Sequence, residues 1–152
     1  MRVWRICRQP YARTTLDGVG GLYASGRWHL QGHPILYTAS SAALAALEAL
    51  VHVDSGNAPS DLRLLTIHVP DELPREELTI ATLPRGWNAV PGPPSLQAIG
   101  TQWLRSLRSP VLVVPSAIIP EERNLLLNPK HPALRGVRVT KTAPFSFDPR
   151  LV

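Results

Sequence analysis

The sequence predicts an α+β domain, several short strands packed with two helices. Three observations point there. Short apolar runs rich in Val, Ile and Leu are closed by Pro or Gly, the pattern of strands and turns. Two longer segments carry apolar residues at helical spacing instead. The 152 residues hold no internal repeat, low-complexity tract or linker, so a single domain with one core is expected over residues 1–152.

In chain order, residues 3–7 (VWRIC) read as a first strand whose alternation is broken by Arg5. Residues 8–26 contain Pro10, Asp17-Gly18, Gly20-Gly21 and Gly26 and read as a long loop punctuated by turns. Loops of that length inside a compact domain are more often functional than idle. Residues 35–38 (ILYT) form a short strand after Gly32 and Pro34. Ser40 or Ser41 then offers an N-cap oxygen to a helix over residues 41–53, whose Ala and Leu content favours helix. Leu44, Leu47, Leu50 and Val51 make its apolar arc, with Glu48 on the margin and His52 four residues on along the same edge.

Residues 54–60 read as a turn-rich exit and residues 62–69 (LRLLTIHV) as a strand ended by Pro70. A charged excursion over 71–84 holds a brief strand at 78–81, and 87–94 (WNAVPGPP) is a Pro/Gly-rich loop. Ser95 can cap a second helix that presents Leu96, Ile99, Trp103, Leu104 and Leu107 on one face. Arg105 and Arg108 fall in its last turn, where cations complement the helix dipole. Residues 111–114 (VLVV) are the clearest buried strand and deliver Ser116 just past its end. A loop holding Asn124, Asn128-Pro129 and His131 follows, and residues 137–142 and 145–147 close the chain as two strands.

Composition narrows the class. Hydrophobic content of 44% with 18% charged residues is that of a globular chain. The single cysteine, Cys7, rules out an internal disulfide framework and fits a reducing compartment. The N-terminus MRVWRICRQP lacks the apolar core of a signal peptide, and no apolar run approaches the ~18 residues that span a membrane. A soluble, cytoplasmic protein is therefore expected. The net charge of +5 favours an acidic partner such as a nucleotide, a nucleic acid or an acidic protein. The basic residues are scattered, with no block of like charge, so direct nucleic-acid binding is not expected. The five histidines show no HExxH spacing and one Cys cannot build a zinc site, so no metal is expected. GxSxG, GxGxxG and P-loop motifs are absent.

Four candidates for chemistry remain, each with an ordinary alternative. Arg27, taken alone, reads as a solvated loop charge. The adjacent Trp28 and the glycines at 26 and 32 favour a ligand role, since close backbone approach to a ligand needs glycine. A guanidinium's planar donor fork suits pyrophosphate oxygens. Tyr37 is a strand-end core aromatic or a stacking platform for an aromatic base or nicotinamide ring. Glu48, at the margin of a very apolar helix, is costly without a partner or a task; a Glu48–His52 pair is its bland explanation. Ser116, at the carboxyl end of a buried strand, is a turn residue or a ligand-facing one.

Taken together the chain resembles the RES-domain family, toxins of bacterial toxin–antitoxin pairs. The resemblance covers nearly the whole length: VWRI, then SGRWHLQGHPILYTASSAALAALEALVH, then VPSAIIPEERNLLLNPKHP. Its spaced pattern is GRW, G-x-P-x-x-Y-T-A and A-x-x-E, and the three letters of the family name correspond to Arg27, Glu48 and Ser116. The resemblance implies a fold related to the ADP-ribosyltransferase toxins, NAD as substrate and a cognate Xre-type antitoxin that blocks the active site. By motif position, Arg27 with Trp28 would bind the dinucleotide, Tyr37 would stack on its nicotinamide side, and Glu48 would be the catalytic carboxylate. Ser116 would complete the pocket, supported by Asn124. Two positions depart from the family: His29 stands where many relatives carry Asn, and Ser25 where a glycine is common.

Cleavage of the nicotinamide–ribose bond develops oxocarbenium character that a nearby carboxylate stabilises. The acceptor can be water, inorganic phosphate or a protein side chain, and the sequence does not choose among them. The reading carried forward is NAD degradation, by hydrolysis or phosphorolysis, because no segment announces a surface for a protein substrate. ADP-ribosylation of a host protein is the alternative. A basic, non-catalytic nucleic-acid-binding module, resting on the charge and on Trp4, Trp28, Trp87 and Trp103, is the rival from another class.

Overall fold

The computed structural model describes residues 1–54 and 56–152. Seven strands form one mixed sheet: β1 (Arg2–Arg8), β2 (Leu36–Ala39), β3 (Leu62–His68), β4 (Arg75–Glu77), β5 (Val111–Pro115), β6 (Arg123–Leu127) and β7 (Arg138–Pro144). Their spatial order is β4-β5-β6-β2-β1-β3-β7. Only β4 and β5 run parallel; the other pairs are antiparallel. The helices are α1 (Gln9–Ala12), α2 (Gly20–Tyr23), α3 (Ala42–Leu50) and α4 (Pro94–Ser106). The α+β expectation holds. Among the described residues no helix is long and apolar enough to cross a membrane.

Side chains alternate across the sheet as the pleat requires. Leu125 and Leu127 join Val3, Leu36, Leu65 and Val111 in the core of one face, while Leu126 joins Leu112, Val114, Trp28 and Trp103 on the other. Helix α4 covers β5 and β6 on that second face through Leu96, Trp103 and Leu104. Helix α3 covers β1 and β2 beside it, packing Leu44 and Ala45 on Ala39, Trp4 and Ile6. The candidate site lies on this helix-covered face.

Several boundaries differ from the sequence reading, each for a physical reason. Residues 8–26 are not an open loop. They wind into α1, a 3₁₀ turn at Thr15–Asp17 and α2, and lay Ala12 and Leu16 on the first core. Helix α3 is capped by Ser41, whose Oγ accepts from Leu44 N at 3.0 Å, and ends at Leu50. Val51 therefore lies beyond the helix and is exposed, and the buried arc is Leu44 and Ala45. The strand expected at 78–81 is instead the charged stretch Arg75–Glu77, an edge strand held by pairing with β5. Arg108, beyond the end of α4, fixes it by two hydrogen bonds to the Glu76 carboxylate at 3.0 and 3.3 Å.

Helix α4 begins two residues earlier than a Ser95 cap implies, at Pro94, the first position where a missing N–H costs nothing, so Ser95 is inside it. Leu107 is no part of its apolar face: it ends the helix in left-handed conformation with φ 52°. Residues 145–147 form no strand; Phe145 N bonds only Leu62 O, and Phe145 and Phe147 stack edge-on. The turn expected at 54–60 includes Ser55, which lies outside the described residues.

Candidate active site

Three of the predicted side chains meet directly. Glu48 leaves the last turn of α3 and its Oε1 accepts from Ser116 Oγ at 2.8 Å and from Asn124 Nδ2 at 2.5 Å. Its second oxygen, Oε2, makes no hydrogen bond among the described residues. The Glu48–His52 pair, the bland explanation of this carboxylate, does not form; His52 is exposed beyond the helix end. The carboxylate's partners come instead from strands far along the chain.

Ser116 is fully buried. Its Oγ–H donates to Glu48 while its lone pairs accept from Ile118 N and Ile119 N, each at 3.1 Å, so one hydroxyl both shapes the turn after β5 and orients the acid. Asn124 was expected in a loop but sits on β6, opposite Ala39 of β2 and Val114 of β5. Sequence reasoning missed that strand because only Leu125–Leu127 are apolar; pairing on both sides, not composition, makes it. Asn124 Oδ1 is buried without a hydrogen-bond partner, a vacant acceptor beside Glu48.

Tyr37 lies on the same face. It pairs with Leu126, two residues from Asn124, which makes Tyr37 and Asn124 diagonal neighbours at about 7–8 Å between Cα atoms. Its hydroxyl accepts from Trp28 N at 3.2 Å and meets His29 Nδ1 at 2.8 Å. Burial pushes the phenol well above its ordinary pKa, with the Trp28 N–H and the Arg27 charge drawing it partly back. It therefore stays a protonated O–H.

Arg27 is near enough to act on Tyr37 electrostatically, but its fork is not free. Nη1 donates to Trp87 O and Ala89 O, each at 2.9 Å. A Cβ on Gly92 would come within 2.6 Å of that same nitrogen, so the 87–92 loop is closed around the guanidinium. Trp28 is 2% exposed and part of the core under α4, which makes it a wall of the site and not an open stacking surface. The loop carrying both is clamped by α4: Gln97 Nε2 donates to Gly26 O and Leu30 N donates to Thr101 Oγ1, both at 3.0 Å. At Gly100 an added Cβ would lie 1.7 Å from Trp28 O.

The flanking glycines have internal reasons. A Cβ on Gly26 would sit 2.6 Å from the Tyr37 hydroxyl and 3.0 Å from the His29 ring. Gly32 has φ +98° in open space, a turn requirement only. His29, which the sequence marked only as a departure, is the residue missed: it is 3% exposed and wedged between Tyr37 and the 20–24 turn. Among the described residues no three His, Cys, Asp or Glu side chains gather as metal ligands would.

The site is thus a carboxylate with one gripped and one unpaired oxygen, a vacant buried amide acceptor, a fixed tyrosine and an arginine at one rim. The RES domain family model matches residues 2–148. The chain belongs to the RES-domain family. It is 42% identical over 153 residues to the Prs ADP-ribosylating toxin of Sphingobium sp. (strain YBL2), covering 98% of this chain and 95% of that one. It is 38% identical over 157 residues to Toxin Res of Yersinia enterocolitica, covering 99% of each. RES-family toxins are the group in which this chain falls. In fold it is similar to a chain in the crystal structure of the M. tuberculosis MbcT–MbcA toxin–antitoxin complex, with TM-score 0.70 and 21% identity over 99% of this chain and 85% of that chain.

Proposed function

We propose that this RES-family chain is a toxin that consumes NAD by breaking its nicotinamide–ribose bond, and that a cognate Xre-type antitoxin holds it in check. The observation that carries the reading is the Glu48 carboxylate, held at Oε1 by Ser116 and Asn124 with Oε2 unpaired. A carboxylate oriented in this way meets positive charge as it develops on the ribose, where fixed electrostatics contribute most. Nicotinamide departs from NAD with the bonding electron pair and becomes neutral, so the step needs no strong general acid.

The other groups orient the substrate. Asn124 Oδ1, buried and unpartnered, suits a ligand N–H or O–H donor such as a carboxamide or ribose hydroxyl. The Tyr37 ring serves the nicotinamide end. Arg27 serves the phosphates by exchanging the Trp87 and Ala89 carbonyls for phosphate oxygens, which are charged acceptors and stronger ones.

Water, inorganic phosphate and a protein side chain all accept the ADP-ribosyl group by the same first step. Degradation of NAD is the primary reading. Transfer to a protein is the second, favoured by the name of the Sphingobium relative, an ADP-ribosylating toxin. The deciding experiment incubates the protein with NAD, with and without phosphate, then with a cell extract. Small products are resolved by chromatography and ADP-ribose is sought on proteins. NAD left intact under all three conditions would sink the proposal.

A further inference from the structure

His29 has a single consistent hydrogen-bonding role. Its Nε2 lies 2.9 Å from Ala24 O, and a carbonyl only accepts, so Nε2 carries the proton. Its Nδ1 is 2.8 Å from the Tyr37 hydroxyl. In the neutral ring that nitrogen is a bare acceptor, so Tyr37 donates to it while accepting from Trp28 N–H. The ring is enclosed: a Cβ on Gly21 would lie 3.1 Å from Nε2 and one on Gly26 3.0 Å from Nδ1. His29 thereby ties the 20–24 turn to β2 and to the loop that carries Arg27.

We propose that His29 is a positioning residue whose neutral Nε2–H form locks the Tyr37 hydroxyl and the Arg27–Trp28 loop, and that its protonation releases the lock and silences the site. This rests on the NAD-consuming reading of the same site. Protonation puts a hydrogen on Nδ1 facing the Tyr37 O–H. The phenol oxygen must then accept from both Nδ1 and Trp28 N, and its own hydrogen loses its acceptor.

The surroundings offer the charged ring backbone carbonyls but no carboxylate among the described residues. Tyr37 faces it from β2, Arg27 neighbours it on its own loop, and His33 faces it from the next turn. On α4 the neutral Gln97 and Thr101 bond the loop backbone on either side of His29, at Gly26 O and Leu30 N, and the 20–24 turn brings the Gly21 and Ala24 carbonyls. Arg105 and Lys130 act on His33 in turn, and among the described residues no carboxylate acts on His29. Burial, chiefly, holds the imidazole below its ordinary pKa, against the pull of those carbonyls. The folded state therefore keeps His29 neutral where the unfolded chain would protonate it. The stability this contributes is present above the ordinary histidine range and is lost as pH falls through the folded value.

The test uses the wild type, His29→Ala, His29→Asn, Tyr37→Phe and the double variant His29→Ala/Tyr37→Phe. Asn places an amide oxygen where Nδ1 stood and cannot titrate. Nitrogen NMR of the substrate-free protein is expected to show the Nε2–H tautomer, a readout independent of NAD. His29→Ala is expected to lower kcat/KM for NAD about five- to tenfold, the loss of one hydrogen bond. His29→Asn should restore most of it, and the double variant should be no worse than Tyr37→Phe. The wild type should lose activity on the acid side, and His29→Asn should not. Losses that simply multiply in the double variant, an Nδ1–H tautomer, or an acid limb unmoved in His29→Asn would overturn the proposal. A wild type that leaves NAD intact would instead remove the reading beneath it, with the NMR still deciding the tautomer.

Discussion

Ser116→Ala separates two jobs held by one oxygen, and their sizes follow from the contacts. Removing Oγ deprives Ile118 N and Ile119 N of an acceptor. A buried amide left unsatisfied costs about 1–3 kcal/mol; residues 118 and 119 are only half-buried, so the low end applies to each. The sum is about 2 kcal/mol, which at a slope near 2 kcal/mol per molar urea moves the midpoint down by about 1 M. The same change removes the Ser116 hydrogen bond to Glu48 Oε1, leaving Asn124 as sole donor. A hydrogen bond to a charged group contributes about 1.5–3 kcal/mol, or roughly 10- to 150-fold in rate. If Glu48 acts on charge that appears only at the transition state, the loss falls on kcat with little change in KM. Urea denaturation and steady-state NAD turnover on the same sample read both effects. A Ser116→Ala protein with parental kcat would refute the claim that this hydroxyl orients the acid, whatever its stability.

Other outcomes follow from the same geometry. Glu48→Gln keeps an acceptor for Ser116 and Asn124, so the urea midpoint should stay close to wild type while NAD consumption falls at least 10²-fold; parental turnover would end the catalytic assignment. Arg27→Ala should raise KM for NAD about tenfold, and it should also speed proteolysis near residues 87–92 because the Trp87 and Ala89 carbonyls lose their donor. Unchanged apparent affinity would remove its phosphate role. Gly100→Ala should destabilise the protein by about 3 kcal/mol, since its methyl would meet the Trp28 backbone and not a movable side chain; a thermal melt checks it, and an unshifted Tm would contradict the close approach of α4 to that loop.

How much of this was legible in the sequence depended on whether a signal was local. The Ser41 cap, the Ala/Leu helix and the uninterrupted VLVV strand are local facts, and the structure has them. Arg75–Glu77 and Arg123–Leu127 are strands because of their neighbours, not their composition; the first pairs with β5 at the sheet edge and the second is inserted between β5 and β2. Glu48 was identifiable as a residue needing a partner, but the nearest sequence candidate, His52, was wrong. The true partners are 68 and 76 residues away. Arg27 could be singled out by its type as a candidate for anion binding, whereas its engagement with the Trp87 and Ala89 carbonyls could not be read. His29 looked like an incidental variation until its ring was found against the Tyr37 hydroxyl.

The insertion of β6 between β5 and β2 also sets the order in which the Glu48 site can be assembled during synthesis. Glu48 emerges early, yet its amide donor is polymerised 76 residues later, on a strand that lies between two others synthesised before it. Through most of translation the acid has no grip. A chain cut short anywhere before Asn124 would lack that donor to Glu48, and the centre of its sheet would be unfilled.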